Sequence, residues 1–488
     1  MRAIGNKEQV ERLIRKYEAD KSYYHSDRYN ETLLRSDFLD PLFEALGWDI
    51  KNNAGLSISE REVLLEEPLK AEAAEHTKKP DYTFRLFAER KFFLEAKKPS
   101  VSILANPSPA QQIRRYGFTA GLKISVLSNF EDLAIYDMSV SVSPNDSVSK
   151  ALIKKYHYTE YAECFDELAR LLGHDSVYNG TFDKEWNDLG ARVEKTAPVD
   201  AFFLGQINSW RVMLGKEIYN AYPTIDLATL NDSVQSYMNK ILFLRVCEDR
   251  NIEVYKGLLS LADKGDFTQL ISKFHAADRK YNSGLFASAA ADKLLSSEGV
   301  SFWSIIRQLY YPECPYSFSV LSSDVLGRIY ELFLTQKLSV VDGELQLADK
   351  PENVDKDVVS TPTYIIRELL SKSVKVKCEG LSFEEITQMS FADIACGSGA
   401  FLLELYGLLC DIAIDYFVEH DRSALIQTSV GTYRLGFAYK KKILTSCIYG
   451  VDKDYNAVEA TKFGLLLKLL ENEDVNTVSD IHPILPRL

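Results

Sequence analysis

The stretch FADIACGSGAFLLELY, residues 391–406, decides the fold class of the C-terminal part of the chain. Its apolar start predicts a strand, and Gly397 and Gly399 predict a tight loop that leads directly into a helix. Further on, residues 446–451 predict a second strand and residues 456–470 a second helix. Because strands that alternate with helices form parallel sheets, this region is predicted to be α/β.

The glycine loop in this stretch suits an anionic ligand. Glycine lets the backbone approach a ligand closely, and the free amides at a helix N-terminus favour a carboxylate or a phosphate. A dinucleotide site would need a third glycine at position 402 and an acid about 20 residues further on. Position 402 is Leu402, and the matching acid, Asp452, lies far beyond that spacing. The spacing therefore argues against NAD.

The N-terminal part of the chain predicts a separate compact α/β unit. Residues 30–47 carry apolar side chains four apart between a candidate N-cap, Asn30, and a stop at Gly47, which predicts an amphipathic helix. Strands are predicted at residues 62–69, 81–87, 91–97, 123–129 and 132–137, and a short helix at about residues 108–116. The polar, turn-rich residues 139–146 are predicted to mark the end of this sheet.

Asp81, Glu95 and Lys97 belong to the predicted hairpin of residues 81–97, whose turn is expected at residues 88–90. Neighbouring hairpin strands would bring Asp81 and Glu95 to one face, with Lys97 on the face of Glu95. The two carboxylates and the Ala96 carbonyl can hold Mg²⁺, while the lysine positions and polarises an attacking water. Phosphodiester hydrolysis needs this set, although similar charges also alternate on many solvated edge strands.

The region between these two units predicts helices. Residues 158–337 carry apolar stripes at helical spacing almost throughout, which predicts a helical connector. Residues 340–357 are acidic and contain Gly and Pro, which suits a linker or an exposed hairpin. Three domains are therefore predicted, with the boundaries 1–157, 158–357 and 358–488.

The composition limits the class of protein. The chain has 488 residues, is 46% hydrophobic and carries a net charge of −13, so it is expected to be globular, with any DNA contact confined to local surfaces. Its apolar runs are too short for a membrane span, and its N-terminus lacks an apolar export segment, which predicts a cytoplasmic protein without a membrane partner. The seven cysteines include no CxxC pair and are expected to be reduced packing residues.

The first unit resembles the PD-(D/E)xK nuclease domain of type I and type IIG restriction enzymes. The segments that carry the resemblance are PDYTFR, FFLEAKKPS, QQIRRYG and VLSNFEDLAIYD. The resemblance implies a Mg²⁺-dependent nuclease that acts on double-stranded DNA. Its implied catalytic residues are Asp81, Glu95, Lys97, Gln112 and Glu31, and its implied metal ligands are Asp81, Glu95 and Ala96.

Five residues owe their interpretation to this resemblance or have a second explanation. Gln112 and Tyr116 match the Gln-x-x-x-Tyr element that follows the ExK strand in the family. Glu31 corresponds to a glutamate near the metal, but a first-turn glutamate is equally favoured by the helix dipole. Arg114 and Arg115, beside Gln112, either contact a phosphate or belong to a solvated surface.

The C-terminal region resembles adenine-specific DNA methyltransferases. FADIACGSGAFLLELY resembles their motif I, and IYGVDKDYNAVEATKFGLLLKLL resembles their motif II, whose acid holds the ribose of S-adenosylmethionine. Asp454 is either a second ribose contact or a helix-start residue. The implied cofactor-binding residues are Thr361, Pro362, Asp393, Ala395, Gly397, Gly399, Phe401 and Asp452.

One motif of these methyltransferases is missing. Their catalytic Asn/Asp-Pro-Pro-Tyr element cannot be present, because the sequence contains no Pro-Pro, and only 18 residues follow Leu470. This argues against methyl transfer by this chain alone. Nearly the whole chain resembles the first half of a type IIG restriction-modification protein. That implies a PD-(D/E)xK nuclease domain, an all-helical connector and a truncated Rossmann-like domain for adenine-N6 methylation.

Two alternatives remain open. The chain could be an inactive or partner-dependent half that binds DNA and cofactor, with another chain supplying the missing methyltransferase and target-recognition parts. It could also be a methyltransferase for small molecules or proteins that carries an unrelated appended domain.

Overall fold

The computed structural model describes most of the chain. The described residues are 6–56, 61–65, 80–86, 89–187, 199–281, 284–286, 294, 299–318, 336–349, 361–429, 432–453, 455–478, 481 and 483–488. Backbone contacts divide the chain into two compact units. The first comprises Met1–Val199, Pro315–Val320 and Thr428–Thr432, and the second Asp200–Cys314, Leu321–Gln427 and Tyr433–Leu488. Helices and strands occur in both units, as predicted, while the three domain boundaries stay predictions.

A six-stranded sheet with the order β1 to β6 forms the centre of the first unit. Its strands are β1 Val63–Leu65, β2 Tyr82–Leu86, β3 Glu89–Ala96, β4 Ile124–Ser128, β5 Asp132–Asp137 and β6 Leu152–His157. Strands β3 and β4 pair in parallel, and the other neighbours are antiparallel.

Two details of the predicted sheet are wrong. Residues 139–146 do not end it, because β6 adds a further strand. The two adjacent lysines of β6 interrupt the apolar alternation that would predict a strand, although lysine is common at sheet edges. Glu89 and Arg90 belong to β3 and pair with Leu86 and Arg85, so they are not part of the hairpin turn.

Helices flank this sheet. They span Lys7–Ala19, Lys21–Tyr24, Glu31–Leu34, Asp40–Ala45, Pro107–Thr119, Phe165–Leu172, His174–Tyr178 and Thr181–Glu185, with a 3₁₀ turn at Tyr158–Glu160. Asn30 caps its helix as predicted, since its side chain accepts a hydrogen bond from the Leu33 amide at 2.9 Å. A π-helical turn, Arg35–Leu39, interrupts the predicted regular helix.

The alternation of side chains along β3 separates two cores. Phe92, Leu94 and Ala96 belong to the core under the N-terminal helices. Phe93 belongs to the opposite core, which the helix Pro107–Thr119 covers. Because side chains alternate along a strand, Glu95 points towards the face of that helix.

The second unit begins with helices, as predicted for the connector. They span Val199–Ala221, Leu227–Asp249, Gly257–Lys264, Phe267–Tyr281 and Val300–Arg307. Strands β7 Gln336–Val341 and β8 Glu344–Asp349 form an antiparallel hairpin, so of the two alternatives for the acidic segment, a linker or a hairpin, its residues 340–349 belong to a hairpin. Residues 350–357 lie outside the described part of the chain. Of the helices described, none has the length and apolar character needed to cross a membrane.

The same unit contains the predicted α/β segment. Its helices span Thr363–Leu370, Val376–Cys378, Phe383–Thr387, Ala400–His420, Phe437–Cys447, Tyr455–Leu469 and Val475–Val478, with a π turn at Ser371–Lys375 and a 3₁₀ turn at Arg422–Ala424. Its strands are β9 Phe391–Asp393, β10 Leu425–Ser429, β11 Thr432–Leu435 and β12 Ile448–Gly450. Strands β9 and β12 pair in parallel, which confirms that prediction. All seven cysteines of the chain are free thiols.

Candidate functional site

The hairpin of β2 and β3 brings the predicted acidic residues together. Tyr82 pairs with Leu94, so the next position of the ladder sets Asp81 opposite Glu95. The Asp81 carboxylate accepts a hydrogen bond from the Ala96 amide at 2.8 Å. This bond fixes one oxygen of Asp81 against the strand that carries the glutamate.

Glu95 is buried and only half satisfied. Its Oε1 atom accepts hydrogen bonds from Lys97 Nζ at 2.6 Å and from Gln112 Nε2 at 2.8 Å. Its Oε2 atom is buried and has no hydrogen-bond partner among the described residues. Burial, together with the negative charge of Asp81, raises the pKa of Glu95 to about 8, although Lys97 opposes the shift. The site therefore holds a buried carboxyl group of which one oxygen has no partner among the described residues.

Lys97 lies between two carboxylates. Besides its bond to Glu95, its ammonium lies 3.9 Å from Glu31 Oε1. Burial alone would lower the pKa of Lys97, but the charges of Glu95 and Glu31 outweigh it and raise the pKa. The lysine therefore remains charged, and the position of Glu31 near a metal stays a prediction.

The helix Pro107–Thr119 supplies the remaining predicted contact. Gln112 Nε2 donates to Glu95 and also lies 3.3 Å from the Tyr116 hydroxyl. Both residues of the Gln-x-x-x-Tyr element therefore lie at this site. Burial raises the pKa of Tyr116, which keeps its hydroxyl neutral.

Neither expectation for Arg114 is correct. Its side chain is 1% exposed and donates to Asp146 at 2.8 Å, so it is a structural ion pair inside the unit. Arg115 donates to the carbonyl of Tyr316 at 3.2 Å. The pair of arginines carried no sequence signal that would distinguish a buried ion pair from a phosphate contact.

Sequence reasoning missed Arg35. Its Nη1 atom donates to Asp81 Oδ1 at 3.2 Å, and its guanidinium lies 4.8 Å from the centre of the Tyr82 ring. Arg35 begins the π-helical turn and follows Glu31 by four residues on the same helix. That i, i+4 spacing was the available signal, because residues four apart on a helix face the same side.

The residues of this site fit a hard divalent cation. Such ions take oxygen ligands, and Glu95, whose buried Oε2 has no partner among the described residues, lies opposite Asp81 on the neighbouring strand. A cation would also relieve the electrostatic cost of two neighbouring carboxylates. No group of three or more His, Cys, Asp or Glu side chains with metal-binding geometry occurs in the described residues. The predicted site needs only two carboxylates and a carbonyl.

The glycine loop lies at the end of β9, as predicted. The Asp393 carboxylate accepts a hydrogen bond from the Ala395 amide at 3.1 Å. Gly397 and Gly399 have φ angles of +53° and +86°, which side chains other than glycine rarely adopt. The Gly397 amide donates to Asp452 Oδ2 at 2.9 Å, so the motif I loop and the motif II acid meet.

The space around the two glycines differs. A Cβ atom added to Gly397 would meet nothing within 4 Å, whereas one added to Gly399 would lie 2.7 Å from Thr461 Cγ2. The position of Gly397 is therefore open, whereas Gly399 is required by packing. The loop therefore fits a small polar cofactor on the side of Gly397.

The other predicted cofactor residues lie on neighbouring elements. Pro362 accepts the first hydrogen bond of the helix Thr363–Leu370 through its carbonyl, and Thr361 directly precedes it. Arg367 of that helix makes a two-bond ion pair with Glu404, at 2.7 and 3.1 Å. Glu404 belongs to the helix Ala400–His420, whose second residue is Phe401.

The sequence and the fold of the chain resemble those of known proteins to different extents. No protein-family model matches the chain. The chain is 54% identical over 486 residues to the type II restriction enzyme and methyltransferase RM.Eco57I of Escherichia coli. The match covers 99% of this chain and 49% of the relative, so the chain spans about half the length of that protein.

Two solved structures match over most of the chain. One is the type IIG restriction endonuclease BpuSI, which is 14% identical to this chain. The match covers 93% of this chain and 42% of that chain, with a TM-score of 0.30. The other is a DrdV–DNA complex, whose matching chain is 11% identical to this one. The match covers 97% of this chain and 40% of that chain, with a TM-score of 0.30. Neither TM-score supports an argument about the fold. The long match at high identity confirms the resemblance predicted from the sequence: the chain is a close homologue of a type II restriction enzyme and methyltransferase.

Proposed function

We propose that the first unit contains the Mg²⁺-dependent DNA nuclease centre of a restriction-modification protein, built on a PD-(D/E)xK fold. The observation that carries the proposal is the buried carboxylate of Glu95. Its Oε2 atom lacks a partner among the described residues, while its Oε1 atom is held by Lys97 and Gln112. Burying such a group is costly unless a ligand completes it, so a cation-binding role accounts for its presence.

Each residue of the proposed centre has a separate task. Asp81 and Glu95, with the Ala96 carbonyl, would hold the Mg²⁺ ion. The bound ion would supply charge neutralisation on the scissile phosphate and a more acidic water. The Lys97 ammonium, held between Glu95 and Glu31, would position a water near the phosphate.

The remaining contacts keep the two carboxylates in place. Gln112 orients Glu95 by its hydrogen bond to Oε1. Arg35 and the Ala96 amide each bind one oxygen of Asp81, which keeps this side chain directed at β3. Double-stranded DNA is the proposed substrate.

Cleavage of a mixed-sequence DNA by the purified chain with Mg²⁺ tests this proposal. We expect cutting by the wild type and its loss in Asp81→Ala and in Lys97→Ala, with both variants shown to be folded by circular dichroism. An Asp81→Ala protein that cuts DNA as well as the wild type would sink the proposal. Adding S-adenosylmethionine to each reaction tests whether the cofactor stimulates cutting.

We also propose that the C-terminal region is a Rossmann-like domain that binds S-adenosylmethionine for adenine-N6 methylation of DNA. The hydrogen bond between Gly397 and Asp452, beside free space, supports this proposal. Asp452 would hold the ribose hydroxyls, and Thr361 and Pro362 would face the methionine end. Asp393, Ala395, Gly399 and Phe401 would complete the proposed pocket. Calorimetric titration with S-adenosylmethionine tests it, and an Asp452→Ala variant that binds as tightly as the wild type would contradict it.

A second candidate function is that of a half that needs another polypeptide for methyl transfer. It is favoured by the exposure of apolar side chains next to the parallel pair β9 and β12. Ile394 is 81% exposed, Val451 58% and Tyr449 48%. Parallel sheets are normally covered on both faces. Under this function the chain binds S-adenosylmethionine but does not methylate adenine, and methyl transfer by the purified chain alone would contradict it.

A further inference from the structure

We propose that Thr461 is a positioning residue that holds the glycine loop in its ligand-binding conformation. Thr461 lies on the helix Tyr455–Leu469, 62 positions along the chain from Gly399, and its side chain is 4% exposed. No motif considered above assigns it a role. The inference rests on the proposed binding of S-adenosylmethionine at this loop.

The first observation is a hydrogen bond. Thr461 Oγ1 donates to the carbonyl oxygen of Gly397 at 2.8 Å. The amide of the same glycine donates to Asp452 at 2.9 Å. Both polar backbone atoms of Gly397 are therefore bound by side chains from the motif II segment. These two bonds fix the orientation of the peptide groups on either side of Gly397.

The second observation is a close packing contact. The Cα atom of Gly399 faces Thr461 so closely that a Cβ atom there would lie 2.7 Å from Thr461 Cγ2 and 2.8 Å from its Oγ1. The Sγ atom of Cys396 lies 3.9 Å from Thr461 Oγ1. One threonine thus touches the start, the middle and the end of the loop. Its hydroxyl orients the loop, and its methyl group limits how near the loop approaches the helix.

This arrangement predicts different effects for two substitutions. Thr461→Val keeps the size of the side chain and removes the hydroxyl, so Gly397 loses the donor to its carbonyl. Thr461→Ser keeps the hydroxyl and removes only the methyl group. If the hydroxyl positions the loop, the valine variant is impaired and the serine variant is close to the wild type.

The experiment measures the Kd for S-adenosylmethionine by calorimetry and hydrogen–deuterium exchange of the loop without ligand, both on the full chain. For Thr461→Val we expect a Kd weakened about three- to tenfold, the size of one lost hydrogen bond, and faster exchange at residues 396–399. Thr461→Ser should stay within about twofold. The control is Thr445→Val, because the Thr445 hydroxyl donates to the carbonyls of Lys441 and Lys442 on its own helix, one turn back.

Several results separate failure of this inference from failure of the proposed cofactor site. A wild-type chain that does not bind S-adenosylmethionine overturns the cofactor proposal, and the exchange rates then decide the role of Thr461 alone. A valine variant with wild-type Kd and wild-type exchange overturns the inference. A serine variant as impaired as the valine variant also overturns it, because the hydroxyl would not be the cause.

Discussion

The two candidate sites of this chain differ in how their polar groups are satisfied. At the proposed nuclease centre, a buried carboxyl oxygen of Glu95 has no partner among the described residues, while a lysine and a glutamine hold its other oxygen. At the glycine loop, Asp452 and Thr461 bind both polar atoms of Gly397. At the first site, one buried oxygen of Glu95 has no hydrogen-bond donor among the described residues, whereas at the second site both polar backbone atoms of Gly397 are bound.

The sheets that support the two sites also differ. The proposed nuclease centre lies on a six-stranded sheet with a hydrophobic core on each face. The glycine loop follows a two-stranded parallel pair with exposed apolar neighbours. We infer that the first site is ready to bind its ion, whereas the second depends on contacts that hold one loop.

Lys97→Met should reduce DNA cleavage about 100-fold or more, because it removes the charged group held beside Glu95. Lys98→Met is the matched control, since this neighbouring lysine is more exposed and lies 3.9 Å from Asp27, outside the centre. Initial cleavage rates at saturating Mg²⁺ measure both. Equal losses in the two variants would mean that general positive charge, and not the position of Lys97, supports cutting.

Glu95→Gln should stabilise the chain more at high pH than at low pH. The folded-state pKa of Glu95 is raised to about 8, so its contribution to stability is present below its ordinary pKa and is lost as the pH rises through about 8. Glutamine does not titrate. Without divalent cations, the Tm of the variant minus that of the wild type should therefore increase by several degrees between pH 5 and pH 9. A difference that is constant over this range would contradict the buried, ionisable carboxyl.

Gly399→Ala should destabilise the chain more than Gly397→Ala. Both substitutions incur the cost of a left-handed backbone, about 1–2 kcal/mol, but only alanine at position 399 also collides with Thr461. Urea unfolding measures both free energies. Equal values would show that the contact with Thr461 is loose, which would also weaken the case for its role in positioning the loop.

Gln112→Leu should slow cleavage by about three- to tenfold, since Glu95 loses one of two donors. The adjacent Gln111 offers a control on the same helix, because its amide donates to the carbonyls of Pro144 and Asp146. Gln111→Leu should leave the cleavage rate unchanged when corrected for the folded fraction. A larger loss of cleavage rate with Gln111→Leu than with Gln112→Leu would contradict the proposed role of Gln112.

The sequence allowed the prediction of contacts that follow from local geometry. The proximity of Asp81 to Glu95 follows from a hairpin, and that of Lys97 to Glu95 from the two-residue period of a strand. The parallel pairing of β9 and β12 follows from the alternation of strands with helices. The contact of Gln112 with Glu95 required the family resemblance, because nothing in the spacing shows which face of β3 the helix covers.

Other features needed tertiary information. Arg35 reaches Asp81 across 46 positions of the chain, and Arg114 pairs with Asp146, which lies in a turn-rich segment. Thr461 meets Gly397 only because two helices pack beside the loop. Strand β6 was missed because its lysines obscure the apolar alternation. Periodicity identifies elements well, but it does not say which polar side chains meet between them.

Calorimetric titration of the metal-free chain with Mn²⁺, as a substitute for Mg²⁺, tests the central claim most directly. We expect one Mn²⁺ ion to bind per chain, with a higher affinity at pH 9 than at pH 6. This binding should be lost in Glu95→Gln and in Asp81→Asn. The Asp452→Asn variant should retain it, because its carboxylate belongs to the other site. Binding that persists unchanged in both of the first two variants would contradict a cation site between Asp81 and Glu95.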